Sequence, residues 1–116
     1  MQRGLSRNTI RIYIARYEWD ERKNRENWRK HGVSFELAIQ VFEDEDCLID
    51  LDRVDSSGEQ RWHAIGLSHM QGERGLLLLV VHAYRENIDG EEITRIISAR
   101  KAAKRDVRRY QEQEVE

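Results

Sequence analysis

Alternating apolar positions predict that the first regular element of the chain is a β-strand. The segment IRIYIARY, residues 10–17, places Ile10, Ile12 and Ile14 at every second position, with polar or aromatic residues between them. This period-two pattern is typical of a strand with one buried face. Residues 1–9 show no such pattern, and we expect them to form a flexible N-terminal extension.

Two helices should follow this strand, joined at a glycine. Asp20 can cap a mostly polar helix in which Trp28 is the main apolar anchor. The sequence Lys30-His31-Gly32 is typical of a helix end, because cations favour the negative end of the helix dipole and glycine adopts the left-handed cap conformation. His31 therefore has a structural role at this joint, and we rank it below the arginines as a functional candidate.

A second helix and four strands are predicted next. Ser34 can cap the helix, whose apolar stripe has helical spacing and must therefore pack against a sheet. The stripe consists of Phe35, Ala38, Ile39 and Phe42. The most apolar of the strands should be central and covered on both faces. The predicted strands are residues 47–51, 61–68, 76–84 (the most apolar) and 93–98.

A basic helix is predicted to begin at about Ala99 and to end the domain. Its narrow apolar seam has helical spacing and consists of Ala99, Ala103, Val107 and Tyr110. Basic side chains surround this seam, and they are Arg100, Lys101, Lys104, Arg105, Arg108 and Arg109.

The order of predicted elements is βααββββα. Strands that are grouped after helices and joined by short connections favour an α+β fold with a mainly antiparallel sheet packed by helices. We expect one compact domain over residues 10–112, followed by a C-terminal tail at 113–116. A chain of 116 residues is large enough for one such core and too short for two.

Composition and charge limit the class of protein. The chain is 39% apolar and 36% charged, with one cysteine and no secretory or membrane-spanning pattern, so we expect a soluble protein of the cytoplasm. A net charge of −2 argues against a protein that coats nucleic acid. The charge is unevenly distributed, however. Residues 36–59 contain nine acidic residues and one basic residue, whereas residues 95–109 contain seven basic residues and one acidic residue.

The motifs of the most easily recognised enzyme sites are absent from the sequence. It has no phosphate-binding glycine loop, no Cys/His pattern for zinc and no Gly-x-Ser-x-Gly elbow, and we expect neither a cofactor nor a metal. Polar residues on predicted strands remain as candidates. His82 shares a strand face with Tyr84, although a lone histidine there is more often a hydrogen-bonded core residue than a catalyst. Arg95 lies between two isoleucines and must meet an anion or face a cleft.

Four segments in a fixed order resemble the BrnT toxin family of prokaryotic toxin–antitoxin systems. They are YEWDERKNRENWRKHGVSFELA, RWHAIGLS, LLLLVVHAY and RIISARKAAKRDVRRY. The shared features are the aromatic start that leads into Trp-Asp, the Lys-His-Gly break between helices, the Arg-aromatic pair that opens a strand, and the Ile-Ser-x-Arg exit into a basic helix. The resemblance covers about residues 14–112, and the order and separation of the motifs make it specific.

This resemblance implies a fold similar to the RelE-type ribonuclease toxins and an endoribonuclease activity that inhibits translation. It also implies neutralisation by a BrnA-like antitoxin with a ribbon-helix-helix domain, in a complex that we expect to be a heterotetramer. The complex would repress its own operon, with operator DNA contacted through the antitoxin. No membrane partner is implied.

RNA cleavage without a metal requires a base for the 2′-hydroxyl, an acid for the 5′-oxygen and cations for the phosphorane. We expect Arg61, Arg95 and Arg100 to bind the phosphate, His82 or His63 to act as acid or base, and Tyr84 to stack on a base or relay a proton. The residues expected to bind RNA are Lys101, Lys104, Arg105 and Arg108.

The alternative is a non-catalytic binding module, that is, a degenerate toxin that acts only by binding an antitoxin or a nucleic acid. In this interpretation the basic helix docks an acidic partner or RNA, and the acidic stretch docks a basic partner. Degradation of RNA in EDTA by the isolated chain distinguishes the two interpretations.

Overall fold

The computed structural model describes residues 11–14, 16–69 and 75–113. The predicted N-terminal extension and most of the predicted C-terminal tail lie outside these residues. The strands of the described chain are β1 (Arg11–Ile14), β2 (Tyr17–Asp20), β3 (Leu48–Val54), β4 (Gln60–Ser68), β5 (Leu76–Glu86) and β6 (Glu92–Lys101). The helices are α1 (Glu21–His31), α2 (Phe35–Ile39), a 3-10 helix (Gln40–Glu43) and α3 (Lys104–Glu112).

The strands form one sheet in the order β1-β2-β6-β5-β4-β3. Every neighbouring pair is antiparallel except β2 and β6, which are parallel. The α+β class and the mainly antiparallel sheet are therefore confirmed, and so is the central position of the most apolar strand, β5. The parallel pair arises because the two helices carry the chain from β2 to the far edge of the sheet, and the later strands return to it.

The start of the sheet differs from the prediction of one strand over residues 10–17. The chain reverses between Ile14 and Tyr17, so that β1 and β2 form a hairpin in which Ile12 pairs with Trp19. The alternating pattern could not show this reversal, because no glycine or asparagine marks the turn. Trp19 is buried in the core, whereas the prediction assigned no role to it.

Both predicted ends of α1 are confirmed. The Oδ1 atom of Asp20 accepts a hydrogen bond from the backbone N–H of Arg22 at 2.9 Å. At the other end, Gly32 adopts the left-handed conformation with φ 68°, and its N–H donates to the carbonyl of Trp28 at 2.8 Å. The Lys30-His31-Gly32 segment thus ends a helix, as its sequence indicated.

The prediction that Trp28 anchors α1 is wrong, because its side chain is 56% exposed. Two buried asparagines hold the helix instead. The Nδ2 of Asn27 donates to the carbonyl of Ala99 at 2.7 Å, and its Oδ1 accepts from the N–H of Ala99 at 3.1 Å. The Oδ1 of Asn24 accepts from the N–H of Phe35 at 2.8 Å. Each amide forms hydrogen bonds with backbone groups that have no partner within a helix or between strands. This explains why polar residues occupy the buried positions.

The apolar stripe of α2 and the 3-10 helix packs on one face of the sheet, as predicted. Ser34 caps α2 by accepting from the N–H of Leu37 at 3.1 Å. The residues buried in this core are Trp19, Val33, Phe35, Ala38, Val41, Ala64, Leu78, Val80, Ile96 and Ala99. We call this side of the sheet the inner face, and the opposite side the outer face.

The last helix begins later than predicted. Residues Ala99 to Lys101 remain in β6, where Lys101 pairs with Leu78, and α3 begins only at Lys104. Pairing with the long strand β5 extends β6 beyond the point at which its own sequence favours a helix. Residue 97 forms a bulge, since Ser98 pairs with Val81 and Ile96 with His82. The bulge returns Ala99 to the inner face.

The helix α3 lies against the outer face at one end of the sheet. The Oδ2 of its buried Asp106 accepts hydrogen bonds from Ala103 N–H at 2.8 Å and from Arg100 at 3.0 Å. The hydroxyl of Tyr110 donates to Asp44 at 2.6 Å, which ties the helix to the end of the 3-10 helix. In the described parts of the chain, no helix has the length and apolar content needed to cross a membrane.

Candidate active site

The register of the sheet divides the predicted site residues between its two faces. Trp62 pairs with His82 and side chains alternate along a strand, so Trp62, His82 and Tyr84 share the inner face. Arg61 and His63 of β4 therefore point to the outer face, as does Arg95 of β6, which pairs with Ala83. The predicted single cluster of arginines, histidine and tyrosine is not formed.

Two of the predicted arginines meet on the outer face. The Nε of Arg61 lies 3.3 Å from Oε1 of Glu59, and Nη2 of Arg95 lies 2.5 Å from the same oxygen. Ala83 lies on the strand between the two arginines, and its methyl group leaves room for both side chains to converge. The structure therefore holds one carboxylate oxygen between two guanidinium groups, each of which is a strong oxyanion donor.

The turn between β3 and β4 sets the position of Glu59. The Oδ1 of Asp55 accepts from the N–H of Ser57 at 2.9 Å, from its hydroxyl at 2.6 Å and from the N–H of Glu59 at 3.0 Å. Its Oδ2 accepts from Arg61 at 3.1 Å. These hydrogen bonds, first that of the Ser57 hydroxyl, hold the pKa of Asp55 well below its usual value. Gly58 completes the turn with φ 89°.

His63 lies on the same face as Arg61, two residues further along β4. This spacing corresponds to roughly 7 Å along the strand. Its Nε2 is 3.3 Å from Oδ2 of Asp52, and about a quarter of the side chain is exposed. An imidazole that is oriented by a carboxylate and open to solvent has the features required for proton transfer.

His82, the other histidine candidate, is buried on the inner face. Its Nε2 lies 3.0 Å from the hydroxyl oxygen of Tyr84, and the ring of Phe42 packs edge-on against it at 4.9 Å. Burial lowers the pKa of His82 to about 4, so the imidazole is neutral at pH 7. The sheet separates it from the arginine pair, and its side chain has no exposed surface.

Arg100 lies apart from the other two arginines. It pairs with Leu79, whereas Arg95 pairs with Ala83, so four residues of β5, roughly 14 Å, separate them. Arg100 binds Asp106 and so supports α3. The predicted RNA-binding residues, which are Lys101, Lys104, Arg105 and Arg108, are all exposed at this end of the molecule.

A groove of about 660 Å³ lies beside the turn between β3 and β4. Trp62 and Tyr84 line its floor, with ring centroids 5.8 Å apart. Val54 and residues 57–60 form its walls. The groove opens on the inner face and the arginine pair lies on the outer face. Glu59, at the end of the sheet, lines the groove and also contacts both arginines.

Sequence reasoning missed three residues of this site, namely Glu59, Asp55 and Trp62. The segment DSSGE could have indicated them, because an aspartate before serine and glycine is typical of a tight turn. Such a turn fixes the position of the residue that follows it. In the described ranges, no group of three or more His, Cys, Asp or Glu side chains is arranged to hold a metal ion.

Comparison with known proteins identifies the family of the chain. A family model described as ribonuclease toxin, BrnT, of type II toxin–antitoxin systems matches residues 19–106. The chain belongs to the BrnT family. A search among curated proteins finds no match to it. The segment that matches the BrnT model runs from β2 into the first turn of α3, and it contains Glu59, Arg61, His63 and Arg95.

Membership of the BrnT family confirms the resemblance that the four motifs indicated. It supports a toxin with ribonuclease activity, and an antitoxin as its partner.

Proposed function

We propose that the chain is an endoribonuclease toxin that cleaves RNA without a metal ion and thereby inhibits translation. The observation that carries this proposal is the convergence of Arg61 and Arg95 on one oxygen of Glu59. A carboxylate at that position marks a place where two guanidinium groups can hold an oxyanion. In the substrate complex a phosphate of the RNA displaces Glu59, accepts from Arg95 and forms an ion pair with Arg61, whose Nε and Nη2 donate to Asp55.

The reaction on this face needs one proton carrier and two cations. Neutral His63 takes the proton from the 2′-hydroxyl, the 2′-oxygen attacks phosphorus, and the P–O5′ bond breaks. The imidazolium of His63 then gives its proton to the 5′-oxygen. The products are a 2′,3′-cyclic phosphate and a 5′-hydroxyl, and His63 returns to its starting state. Arg61 and Arg95 stabilise the extra negative charge of the phosphorane.

His63 is preferred over His82 because of where the two side chains lie. His63 shares the face of Arg61, contacts Asp52 and is partly open to solvent. His82 is fully buried on the other face. Tyr84 contributes to the groove beside the site and not to the arginine pair, and Arg100 supports α3. The exposed basic residues at the α3 end extend the path of the RNA.

The partner in this proposal is a BrnA-like antitoxin with a ribbon-helix-helix domain. The family finding supports an antitoxin, and the resemblance of the chain supports this type. The complex is a heterotetramer that represses its own operon through the antitoxin. The chain acts in the cytoplasm, where its RNA substrate is found.

Cleavage of RNA by the purified chain in EDTA tests the catalytic proposal. Arg61→Ala and Arg95→Ala should each lower the cleavage rate roughly 10²- to 10³-fold, because each removes a donor to the transition state. His63→Ala should lower it roughly 10²- to 10⁴-fold. The matched control is Arg22→Ala, an exposed arginine of α1 on the other side of the molecule, which should leave the rate unchanged.

Undiminished cleavage by all three variants would rule out this site. RNA that the wild-type chain binds but does not degrade, with affinity that falls as salt rises, would instead favour the non-catalytic binding module. Thermal melting of each variant separates loss of the active site from loss of the fold.

A further inference from the structure

The groove beside the β3–β4 turn has an aromatic floor that the cleavage chemistry does not use. Trp62 and Tyr84 are both only partly buried, and their rings meet at 62°. Gln60, whose side chain is exposed, lies at the edge of the same groove. Partly exposed aromatic rings next to a carboxamide can bind a flat, polar-edged ring by stacking and by hydrogen bonds.

We propose that this groove is the nucleobase-binding subsite of the RNA site, in which a base stacks on Trp62, Tyr84 packs against the base, and Gln60 reads its polar edge. The proposal rests on the ribonuclease function proposed above, and it names the residues that determine which base is accepted. Stacking on aromatic rings accepts any base, whereas an amide that both donates and accepts can distinguish base edges.

The aromatic floor is held rigidly from below. Nε2 of His82 contacts the Tyr84 hydroxyl at 3.0 Å, and the two rings pack edge to face at 5.0 Å. Phe42 covers His82 in turn. In this arrangement His82 is a positioning residue that fixes the Tyr84 ring. A stacking platform fixed before the base arrives costs less entropy on binding.

The groove is continuous with the phosphate site through one residue. Glu59 lines the groove, and its carboxylate lies between Arg61 and Arg95. The ring pair and the arginine pair lie on opposite faces of the sheet, and Glu59 lies at the end of the sheet where β4 begins. An RNA strand whose phosphate displaces this carboxylate therefore reaches the aromatic floor with the base of a neighbouring nucleotide, by passing around this end. This continuity is the reason to assign the groove to RNA.

A protein partner is the competing occupant, because exposed apolar side chains continue from the groove along the edge strand β3. Ile49 is 41% exposed and Leu51 is 47% exposed. They lie on the same face as Trp62, which pairs with Leu51. A protein partner would require these two residues, whereas a nucleobase requires only the ring pair and Gln60. The two occupants can thus be separated by mutation.

Binding of uncleavable RNA tests the proposal. The probes are fluorescein-labelled 2′-O-methyl tetranucleotides of A, C, G and U, which have no free 2′-hydroxyl to attack, and fluorescence anisotropy reports their affinity. Trp62→Leu should weaken binding roughly 5- to 150-fold, the range for loss of one stacked base. Trp62→Phe should recover most of this affinity. Gln60→Ala should change the relative affinities for the four probes more than it changes their mean affinity.

Two matched controls accompany these variants. Trp28→Leu changes the exposed tryptophan of α1, which lies outside the groove, and should leave affinity unchanged. Leu51→Ser changes the neighbouring apolar surface and should also leave RNA affinity unchanged. Wild-type RNA affinity in a folded Trp62→Leu variant would overturn the proposal. So would a loss of antitoxin affinity in both Trp62→Leu and Leu51→Ser with RNA affinity intact, because the groove would then be a protein interface.

Failure of the catalytic proposal would look different. If Arg61→Ala and Arg95→Ala kept full RNA affinity and cleavage while Trp62→Leu lost affinity, the phosphate site would be wrong and the nucleobase subsite would stand. If Arg61→Ala lost affinity and Trp62→Leu kept it, the phosphate site would stand and the nucleobase subsite would be wrong.

Discussion

The inner and outer faces of the sheet are made by the same strands and differ in the kind of contact that their side chains make. On the inner face, apolar residues from α2 and the strands exclude water, and the buried asparagines of α1 bond the backbone. On the outer face, charged side chains pair with one another while remaining partly exposed. Partly exposed ion pairs contribute about 0–1 kcal/mol each, whereas a buried aromatic side chain contributes several times more.

This difference indicates that the two faces have separate tasks. The inner face, apart from the groove at its end, supplies much of the free energy of folding, with further buried residues such as Ile65 and Leu79 on the outer face. The partly exposed ion pairs of the outer face can exchange their internal anions for a substrate at small cost. Glu59 between two arginines is the clearest case, since a phosphate offers those arginines the same kind of acceptor. Variants on the two faces should therefore separate stability from activity.

The largest expected effect on stability comes from Phe35→Ala on the inner face. Phe35 is fully buried, and its ring packs edge to face against Trp19 at 6.1 Å. Truncation should lower the free energy of unfolding by about 3–5 kcal/mol, because it removes buried surface and leaves a cavity. Urea denaturation measures the change. Arg95→Ala should cost less than about 1 kcal/mol. Equal losses in these two variants would contradict the separation of the faces.

A pH titration sharpens the same comparison through His82. Its pKa is lowered from 6.5 to about 4 by burial, so the unfolded chain binds a proton more readily than the folded chain between these values. The contribution of His82 to the free energy of unfolding should therefore be complete above pH 6.5. It should fall by about 3 kcal/mol as the pH drops to 4. Urea denaturation at several pH values measures this loss.

The variant for this titration is His82→Gln, and its control is Trp28→Leu, which changes an exposed residue of α1 that carries no ionisable group. His82→Gln removes the buried titrating group and should flatten the pH dependence between 6.5 and 4. Trp28→Leu should retain the wild-type dependence. A wild-type dependence in folded His82→Gln would show that this histidine does not cause the loss of stability.

Helix periodicity and capping made part of the inner face predictable from sequence. The stripe from Phe35 to Phe42 and the glycine at 32 need only local geometry, and both are confirmed. Trp28 was predicted to anchor α1, but the buried position belongs to Asn27, for which no role was predicted. The sequence ranks asparagine as polar and tryptophan as apolar, whereas the buried position is determined by the backbone of Ala99, which is 72 residues away.

The outer face was harder to predict, for a reason that lies in strand register. Alternation within a strand showed that His82 and Tyr84 share a face, and the structure confirms this. Whether Arg61 joins them depends on how β4 pairs with β5, and no local pattern determines that register. The prediction that the last helix begins at Ala99 was wrong for a similar reason. Pairing of β6 with β5 keeps residues 99–101 in the strand despite their helix propensity.

The smallest expected effect concerns the basic residues at the α3 end of the outer face. Lys104 and Arg108 are exposed, and neither lies in the arginine pair. The double variant Lys104→Ala/Arg108→Ala should leave the urea midpoint unchanged and weaken binding of 2′-O-methyl RNA only modestly. If both residues contact phosphates, the slope of log affinity against log salt should become shallower by about 0.7 for each lost contact. Lys23→Ala on α1 is the control and should keep the wild-type slope. An unchanged slope in the double variant would show that RNA does not reach α3, and would confine recognition to the arginine pair and its immediate surroundings.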